Sequence, residues 1–229
     1  MVRSSRRDKL PNCAGVLRLR RLQRNRISLY VIGLTGGIGV GKSAVSARLE
    51  CLGASIIDAD REGHAAYAKG TIGWRRITAL FGDAMLTEQL EIDRRKLGQL
   101  VFGNPQAMGW LNSAIHPIIR DRIGTQLGQL RALDCKIAVV DAAVLVQAGW
   151  DELTDEVWFI KAPADIVAER VAQARDLKAG EVLGRIAAQQ ELIQEAESKA
   201  SVVIDNAGSM EELFTKVEQL WKDRNLPVR

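Results

Sequence analysis

The chain has 229 residues, of which 47% are hydrophobic and 26% charged, and its formal net charge is +4. This composition is that of a globular domain with a sizeable core, and it excludes a wholly disordered or collagen-like chain. No apolar run reaches the ~18 residues of a membrane-spanning helix, and the three cysteines form no C-x-x-C pair, which argues against a disulfide scaffold and for a reducing compartment.

The first 28 residues form a basic leader with nine basic residues and one acidic residue. Residues 29–229 hold 23 basic and 27 acidic residues, so the body of the protein is mildly acidic and is not expected to bind nucleic acid. Four interpretations of the leader remain open: a disordered tail, an over-extended start site, an arm for nucleic acid or an anionic surface, and an organellar transit segment. The first two are favoured because basic blocks are usually solvated.

From Ser28 onwards, short apolar runs alternate with helix-length segments. The first helix is expected to bury Val45, Leu49 and Leu52 and to stop at Gly53. A last helix is predicted after Ser209, which forms a capping box with Glu212. Its inward face is predicted to hold Met210, Leu213, Val217, Leu220 and Trp221. Strands are predicted at 29–34, 56–58, 137–140, 157–160 and 202–204, an alternation that indicates an α/β fold with a parallel sheet flanked by helices.

A glycine-rich motif follows the first predicted strand directly. Residues 36–43 read G-G-I-G-V-G-K-S and satisfy the P-loop pattern G-x-x-x-x-G-K-[S/T]. Glycines let successive backbone N–H groups surround a polyphosphate, and the N-terminus of the following helix attracts the same anion. Lys42 supplies a charge to the β- and γ-phosphates, and the Ser43 hydroxyl is placed to bind Mg²⁺. The alternative, a chance glycine loop with an exposed lysine, conflicts with the strand and helix on either side.

Acidic residues end the next two predicted strands. Asp58 and Asp60 follow the second strand, and parallel sheets gather ligands at the carboxyl ends of their strands. One carboxylate of this pair suits a Mg²⁺-bound water and the other the proton of an attacking hydroxyl, whereas the alternative is that the pair caps a helix. Asp141 ends the third strand in the form of a Walker-B aspartate, a weak pattern by itself.

The assembled motifs resemble those of the dephospho-CoA kinase family, whose members transfer the γ-phosphate of ATP to the 3′-hydroxyl of dephospho-coenzyme A. The resemblance rests on residues 34–43, on L-G at 52–53 and on I-D-A-D at 57–60. Further matching stretches are 81–82, 93–97, 101–102, 116–120, 185–189 and 203–206, so the likeness covers roughly residues 29–223.

The resemblance implies a P-loop kinase fold over residues 29–225. Its core comprises 29–61 and 134–225, a helical acceptor-binding insertion spans about 62–133, and a lid spans about 170–199. The resemblance also implies ATP and Mg²⁺ as cofactors, dephospho-CoA as the substrate, a cytoplasmic location and a monomer or weak homo-oligomer. Other readings stay open: a small-molecule or nucleoside monophosphate kinase with another acceptor, and a non-catalytic nucleotide-binding relative.

Site roles follow residue by residue from the same resemblance. Asp60 is the expected catalytic base, Asp58 joins Ser43 at the metal, and His116 and Arg120 lie near the acceptor. The ATP site is expected to consist of Thr35, Gly36, Gly37, Ile38, Gly39, Val40, Gly41, Lys42 and Ser43, with Asn206 near the adenine. For His116, the residues alone favour a plainer reading as a helix-start residue before Pro117.

Two positions depart from the family pattern. Gln147 stands where the family usually has a glutamate. The lid arginine, expected to be catalytic, is Arg175, one residue beyond the family's position, which is Ala174 here. One residue along a helix is a rotation of about 100°, so this shift bears on the lid more than on the fold.

Overall fold

The computed structural model describes residues 29–175 and 190–226, with the side chains of residues 173–175 left out of that description. The basic leader and the middle of the expected lid, residues 176–189, therefore lie outside the described residues.

Five parallel strands form one sheet, which confirms the predicted sheet and its strands. Strand β1 lies at its centre between β3 and β4, and the order across the sheet is β2-β3-β1-β4-β5. The strands are β1 (Tyr30–Gly36), β2 (Ser55–Asp58), β3 (Ile137–Asp141), β4 (Glu156–Lys161) and β5 (Val202–Asp205). Because all five run in the same direction, their carboxyl ends meet at one edge of the molecule.

Eight α-helices connect or follow the strands in the described part of the chain. They are α1 (Lys42–Leu52), α2 (Ala59–Ala66), α3 (Ile72–Phe81), α4 (Arg94–Phe102), α5 (Pro105–Ala132), α6 (Ala164–Arg175), α7 (Gln190–Ser198) and α8 (Met210–Asp223). Polar side chains cap five of them by accepting backbone N–H groups: Asp58, Thr71, Asp93, Asn104 and Ser209. None of the helices described here combines the length and the apolar content that crossing a bilayer requires.

Two hydrophobic cores cover opposite faces of the sheet. On β1 and β3, Val31 and Val140 face one core, whereas their neighbours Ile32 and Val139 face the other. Helices α2–α5 complete the first core, and helices α1, α6 and α8 complete the second. The strands are therefore apolar on both faces, as expected for a buried parallel sheet.

The terminal helix differs from its prediction at two residues. Leu213, Val217 and Trp221 are buried as expected, but Met210 is largely exposed and Leu220 is only partly buried. Met210 occupies the first turn, next to the exposed residues 207–209. The predicted capping box of Ser209 and Glu212 is present.

The segment between β2 and β3 contains helices α2–α5. Its longest element, α5, runs for 28 residues and continues through Pro117. His116 therefore lies in the middle of a helix, and the interpretation of His116 as a helix-start residue is wrong. An ion pair of 2.7 Å joins Arg122 on α5 to Glu62 on α2 and fixes the two helices to each other.

We expect Ile123→Ala to lower the free energy of unfolding by about 2–5 kcal/mol, because the Ile123 side chain is fully buried on α5 and its loss leaves a cavity. The matched variant Ile72→Ala removes the same atoms from a residue that is 54% exposed, and it should change stability by less than about 1 kcal/mol. Urea denaturation with comparable m values measures both. Equal midpoint shifts would show that α5 does not carry the core of the insertion.

Candidate active site

The glycine-rich loop between β1 and α1 has a backbone that only glycine adopts without strain. Gly39 and Gly41 have φ angles of 71° and 99°. A Cβ at Gly41 would lie 2.4 Å from Asn206 Nδ2, and one at Gly39 would lie 2.4 Å from Val171 Cγ2. The loop is therefore packed directly against β5 and α6, which hold its curvature.

The N-terminus of α1 is open towards the loop. Its N-cap is Gly41, which provides no side-chain hydrogen bond, and its first turn contains no acidic residue. The backbone N–H groups of this turn and the positive end of the helix dipole are therefore available to an anion. Together with the loop amides they form a phosphate-binding concavity.

Lys42 forms an ion pair with Asp141 across the floor of the loop. The two side chains are 18% and 13% exposed, so each charge depends on the other for compensation. Asp141 ends β3 and is in register with Asp58 at the end of β2. This pairing brings the Walker-B aspartate and the first acid of the D-A-D motif to adjacent strand ends.

A cleft of about 870 Å³ contains the loop and the second acid, Asp60. Asp60 lies in the first turn of α2, whose position is fixed by the Asp58 cap and by the Glu62–Arg122 ion pair. The structure therefore brings Asp60 into the same cleft as Lys42. The cleft walls include Thr35, Gly36, Gly37, Ile38, Gly39, Gly41, Lys42, Ser43, Asp60, Phe102, Val144, Gln147, Arg170 and Leu192.

Five described residues that were predicted for the site lie outside the lining of this cleft: Asp58, Asn206, Val40, His116 and Arg120. Asp58 Oδ1 accepts the Arg61 N–H at 3.0 Å, so Asp58 caps α2, the alternative that its sequence position left open. Asn206 is buried behind the loop, where its Nδ2 donates to the Val40 carbonyl at 2.8 Å. Val40, expected in the ATP site, meets Asn206 here and also lies outside the cleft lining. Asn206 Oδ1 has no hydrogen-bond partner among the described residues.

Thr35 and Gln147 connect the cleft to neighbouring segments. The Thr35 hydroxyl donates to the Ala143 carbonyl at 3.3 Å, which fixes the segment that follows β3. Gln147 Nε2 donates to the Leu192 carbonyl at 2.6 Å and thereby ties α7 to the cleft. A glutamate, ionised at neutral pH, has no N–H to donate, so this contact depends on the amide.

His116 and Arg120 contact the segment after β3 rather than the loop. The His116 ring meets Trp150 edge-to-face with 5.4 Å between ring centres, and Trp150 Nε1 donates to the His116 carbonyl at 3.3 Å. Arg120 pairs with Glu152 at 2.8 Å. Burial lowers the pKa of His116, so its neutral form is favoured. The Arg175 side chain lies outside the described part of the chain.

Two cleft residues were assigned no role from the sequence. Phe102 lies in the family-like stretch 101–102, and Arg170 lies at the start of the expected lid. Arg170 donates to the carbonyls of Asn206 and Gly208, each at 3.2 Å, which braces the region behind the loop. A single phenylalanine or arginine in a helical pattern carries no signal for such contacts, which join residues far apart in the chain.

Comparison with known proteins gives consistent matches. The family model of dephospho-CoA kinase matches residues 30–212. A curated dephospho-CoA kinase of Geobacter sulfurreducens is 40% identical over 196 residues, which cover 86% of this chain and 99% of that protein.

Solved structures agree in fold over nearly their whole length. A Thermus thermophilus protein has a TM-score of 0.71 at 28% identity, with 85% of this chain and 97% of that chain covered. The dephospho-CoA kinase of Campylobacter jejuni has a TM-score of 0.63 at 27% identity, with 86% and 98% covered. These likenesses confirm the predicted P-loop kinase fold.

Gly41→Ala is expected to weaken ATP binding by at least about tenfold, because the new Cβ meets Asn206 and the backbone is strained. Gly149→Ala is the matched control, since Gly149 also has a positive φ, of 68°, but no heavy atom stands within 4 Å of an added Cβ. It should lose about 1–2 kcal/mol of stability and bind ATP normally. Isothermal titration measures both affinities, and an unchanged affinity in Gly41→Ala would contradict this account of the loop.

The lowered pKa of His116 predicts a pH-dependent stability. The folded protein favours the neutral imidazole. Its contribution to stability is therefore complete above the pKa of the unfolded chain, about 6.5, and is lost as the pH falls towards the lower pKa of His116 in the folded protein. Urea unfolding between pH 7.5 and 5 should show a smaller loss in His116→Gln than in the wild type. The control is His64→Gln, at the other histidine of the sequence, which is exposed; this variant should show the same change of stability with pH as the wild type. Identical slopes in all three proteins would contradict the prediction.

Proposed function

The chain belongs to the dephospho-CoA kinase family, and we propose that it transfers the γ-phosphate of ATP to the 3′-hydroxyl of dephospho-coenzyme A, which yields coenzyme A and ADP. The observation that carries this proposal is the presence of Asp60 and the phosphate-binding loop with Lys42 in one cleft. A kinase of this type needs a triphosphate site and a proton acceptor that face each other.

The loop and Lys42 serve the triphosphate. The backbone N–H groups of residues 36–43 and the open N-terminus of α1 bind the phosphate oxygens. When ATP binds, the Lys42 ammonium group leaves Asp141 and pairs with the β- and γ-phosphates. Its positive charge therefore has an anionic partner both before and after ATP binds. This exchange limits the desolvation cost of binding, since Lys42 is already held in a partly buried position.

Asp60 serves the acceptor. The 3′-oxygen forms a bond to the γ-phosphorus, the bond from that phosphorus to the β,γ-bridging oxygen breaks, and ADP leaves with that electron pair. The proton of the 3′-hydroxyl passes to the Asp60 carboxylate. Asp60 lies in the first turn of α2 and lines the same cleft as the phosphate-binding loop, so its carboxylate is placed to accept that proton.

The donor set at the strand ends fits Mg²⁺. The Ser43 hydroxyl lies on the cleft wall, and the carboxylates of Asp58 and Asp141 stand on adjacent strand ends. Mg²⁺ prefers oxygen ligands and usually takes one or two from the protein, with substrate phosphates and water completing its shell. When bound, it neutralises charge on the phosphates. Ser43 and Asp141 supply oxygen ligands that support the proposed Mg²⁺ site, and Asp58, one of whose oxygens caps α2, would hold a water of the ion's shell.

The remaining assignments complete the proposal. We assign His116 and Arg120 to the acceptor side. Both lie on α5, the helix that is joined by the Arg122–Glu62 ion pair to α2, which carries Asp60. The family resemblance puts Asn206 near the adenine of ATP, where its buried side chain would act by holding the Val40 carbonyl behind the loop, and Arg175 stays the candidate lid arginine. We expect the enzyme to act in the cytoplasm as a monomer or weak homo-oligomer.

The direct test mixes the protein with ATP, Mg²⁺ and dephospho-CoA and measures CoA and ADP by chromatography. Lys42→Ala and Asp60→Asn should each lower the rate by about a hundredfold or more, because each removes a group that acts on the transferring phosphate or the hydroxyl. Asp60→Asn should still bind ATP.

Asp83→Asn is the matched control for the charge change, since Asp83 is exposed and lies outside the cleft lining. It should keep the wild-type rate. Near wild-type turnover in Asp60→Asn would refute its role as base. Binding of ATP without turnover of dephospho-CoA would favour a non-catalytic relative, and ADP release with a different acceptor would favour another small-molecule kinase.

A further inference from the structure

Phe102 is an exposed aromatic residue at the mouth of the cleft. It is the last residue of α4, and its side chain is 85% exposed, although the preceding Val101 is buried in the core of the insertion. A phenylalanine left in water forgoes the free energy that burial of its ring would contribute. Folding therefore does not explain an aromatic ring at this position.

The backbone that carries this ring is a short connection between two helices. Phe102 ends α4, and Asn104 caps α5 two residues later. Phe102 lines the same cleft as Asp60, and both residues come from the helical insertion between β2 and β3 rather than from the loop. The ring therefore belongs to the acceptor side of the cleft.

The chemistry of the acceptor identifies what such a ring would contact. In dephospho-CoA the reacting 3′-hydroxyl is carried by the same ribose that bears the adenine. An acceptor bound with its hydroxyl at Asp60 therefore has its adenine within or beside the cleft that Phe102 also lines. Flat aromatic side chains bind nucleobases by stacking, in which each ring shields one face of the other from water.

We propose that Phe102 is the binding residue on which the adenine of dephospho-CoA stacks, and that it thereby sets the affinity for an acceptor with a nucleobase beside its hydroxyl. This inference rests on the proposed function. Val144 and Leu192 line the same cleft and add apolar surface to it. ATP is held through its phosphates by the loop, so its own affinity does not depend on Phe102.

The test compares steady-state kinetics of Phe102→Leu and Phe102→Tyr with the wild type. Loss of the ring in Phe102→Leu should raise KM for dephospho-CoA roughly 5- to 150-fold, the range expected for loss of one stacked base. The KM for ATP and kcat at saturating acceptor should change less than about twofold, because the transferring phosphate is untouched. Phe102→Tyr retains a ring and should stay near the wild-type KM.

The control is Leu133→Ala, at an apolar residue that is 75% exposed and lines a separate cleft between β2 and α5. It should leave every kinetic constant unchanged. An unchanged KM for dephospho-CoA in Phe102→Leu, or equal rises for both substrates, overturns the inference while CoA production by the wild type still supports the proposed function. Absence of CoA production by the wild type overturns both.

Discussion

The parallel alignment of β1 with its neighbours is the constraint on which the site depends. Because β1 lies between β3 and β4, its carboxyl end delivers the loop to the middle of the sheet edge, with Asp141 one strand away. Asp58 follows one strand further on. An antiparallel neighbour would have placed one of these strand ends at the opposite edge. The backbone register of the sheet is therefore enough to bring Lys42, Asp58 and Asp141 to the same edge.

The Lys42–Asp141 ion pair shows how the free protein tolerates charges in a partly buried floor. Either charge alone would remain poorly solvated, so the pair holds both until a polyphosphate replaces one partner. The loop around the pair is stiff, since Asn206 and Val171 stand where side chains at Gly41 and Gly39 would be. Because the loop is already shaped and Lys42 is already in place, less free energy is needed to reorganise the protein when the substrate binds.

The sequence predicted local features of the fold and site well and long-range ones poorly. The strands, the α1 stop at Gly53 and the loop follow from patterns within a few residues, and the structure has them. The contact of Asn206 with the loop spans 166 residues, so no local pattern indicates it. His116 was misread because Pro117 usually disfavours a helix interior, whereas packing of α5 against the sheet outweighs that preference here. Asp58 was expected at the metal, with a helix cap as the alternative, and its contact with Arg61 shows that it caps α2.

The separation of the two hydrophobic cores has a consequence for how such an enzyme can diversify. Helices α2–α5 pack on one face of the sheet, and α1, α6 and α8 pack on the other. A substitution inside the first core therefore alters contacts that the second core does not share. If the proposed function holds, this layering would let evolution vary the insertion while the packing behind the glycine-rich loop is kept.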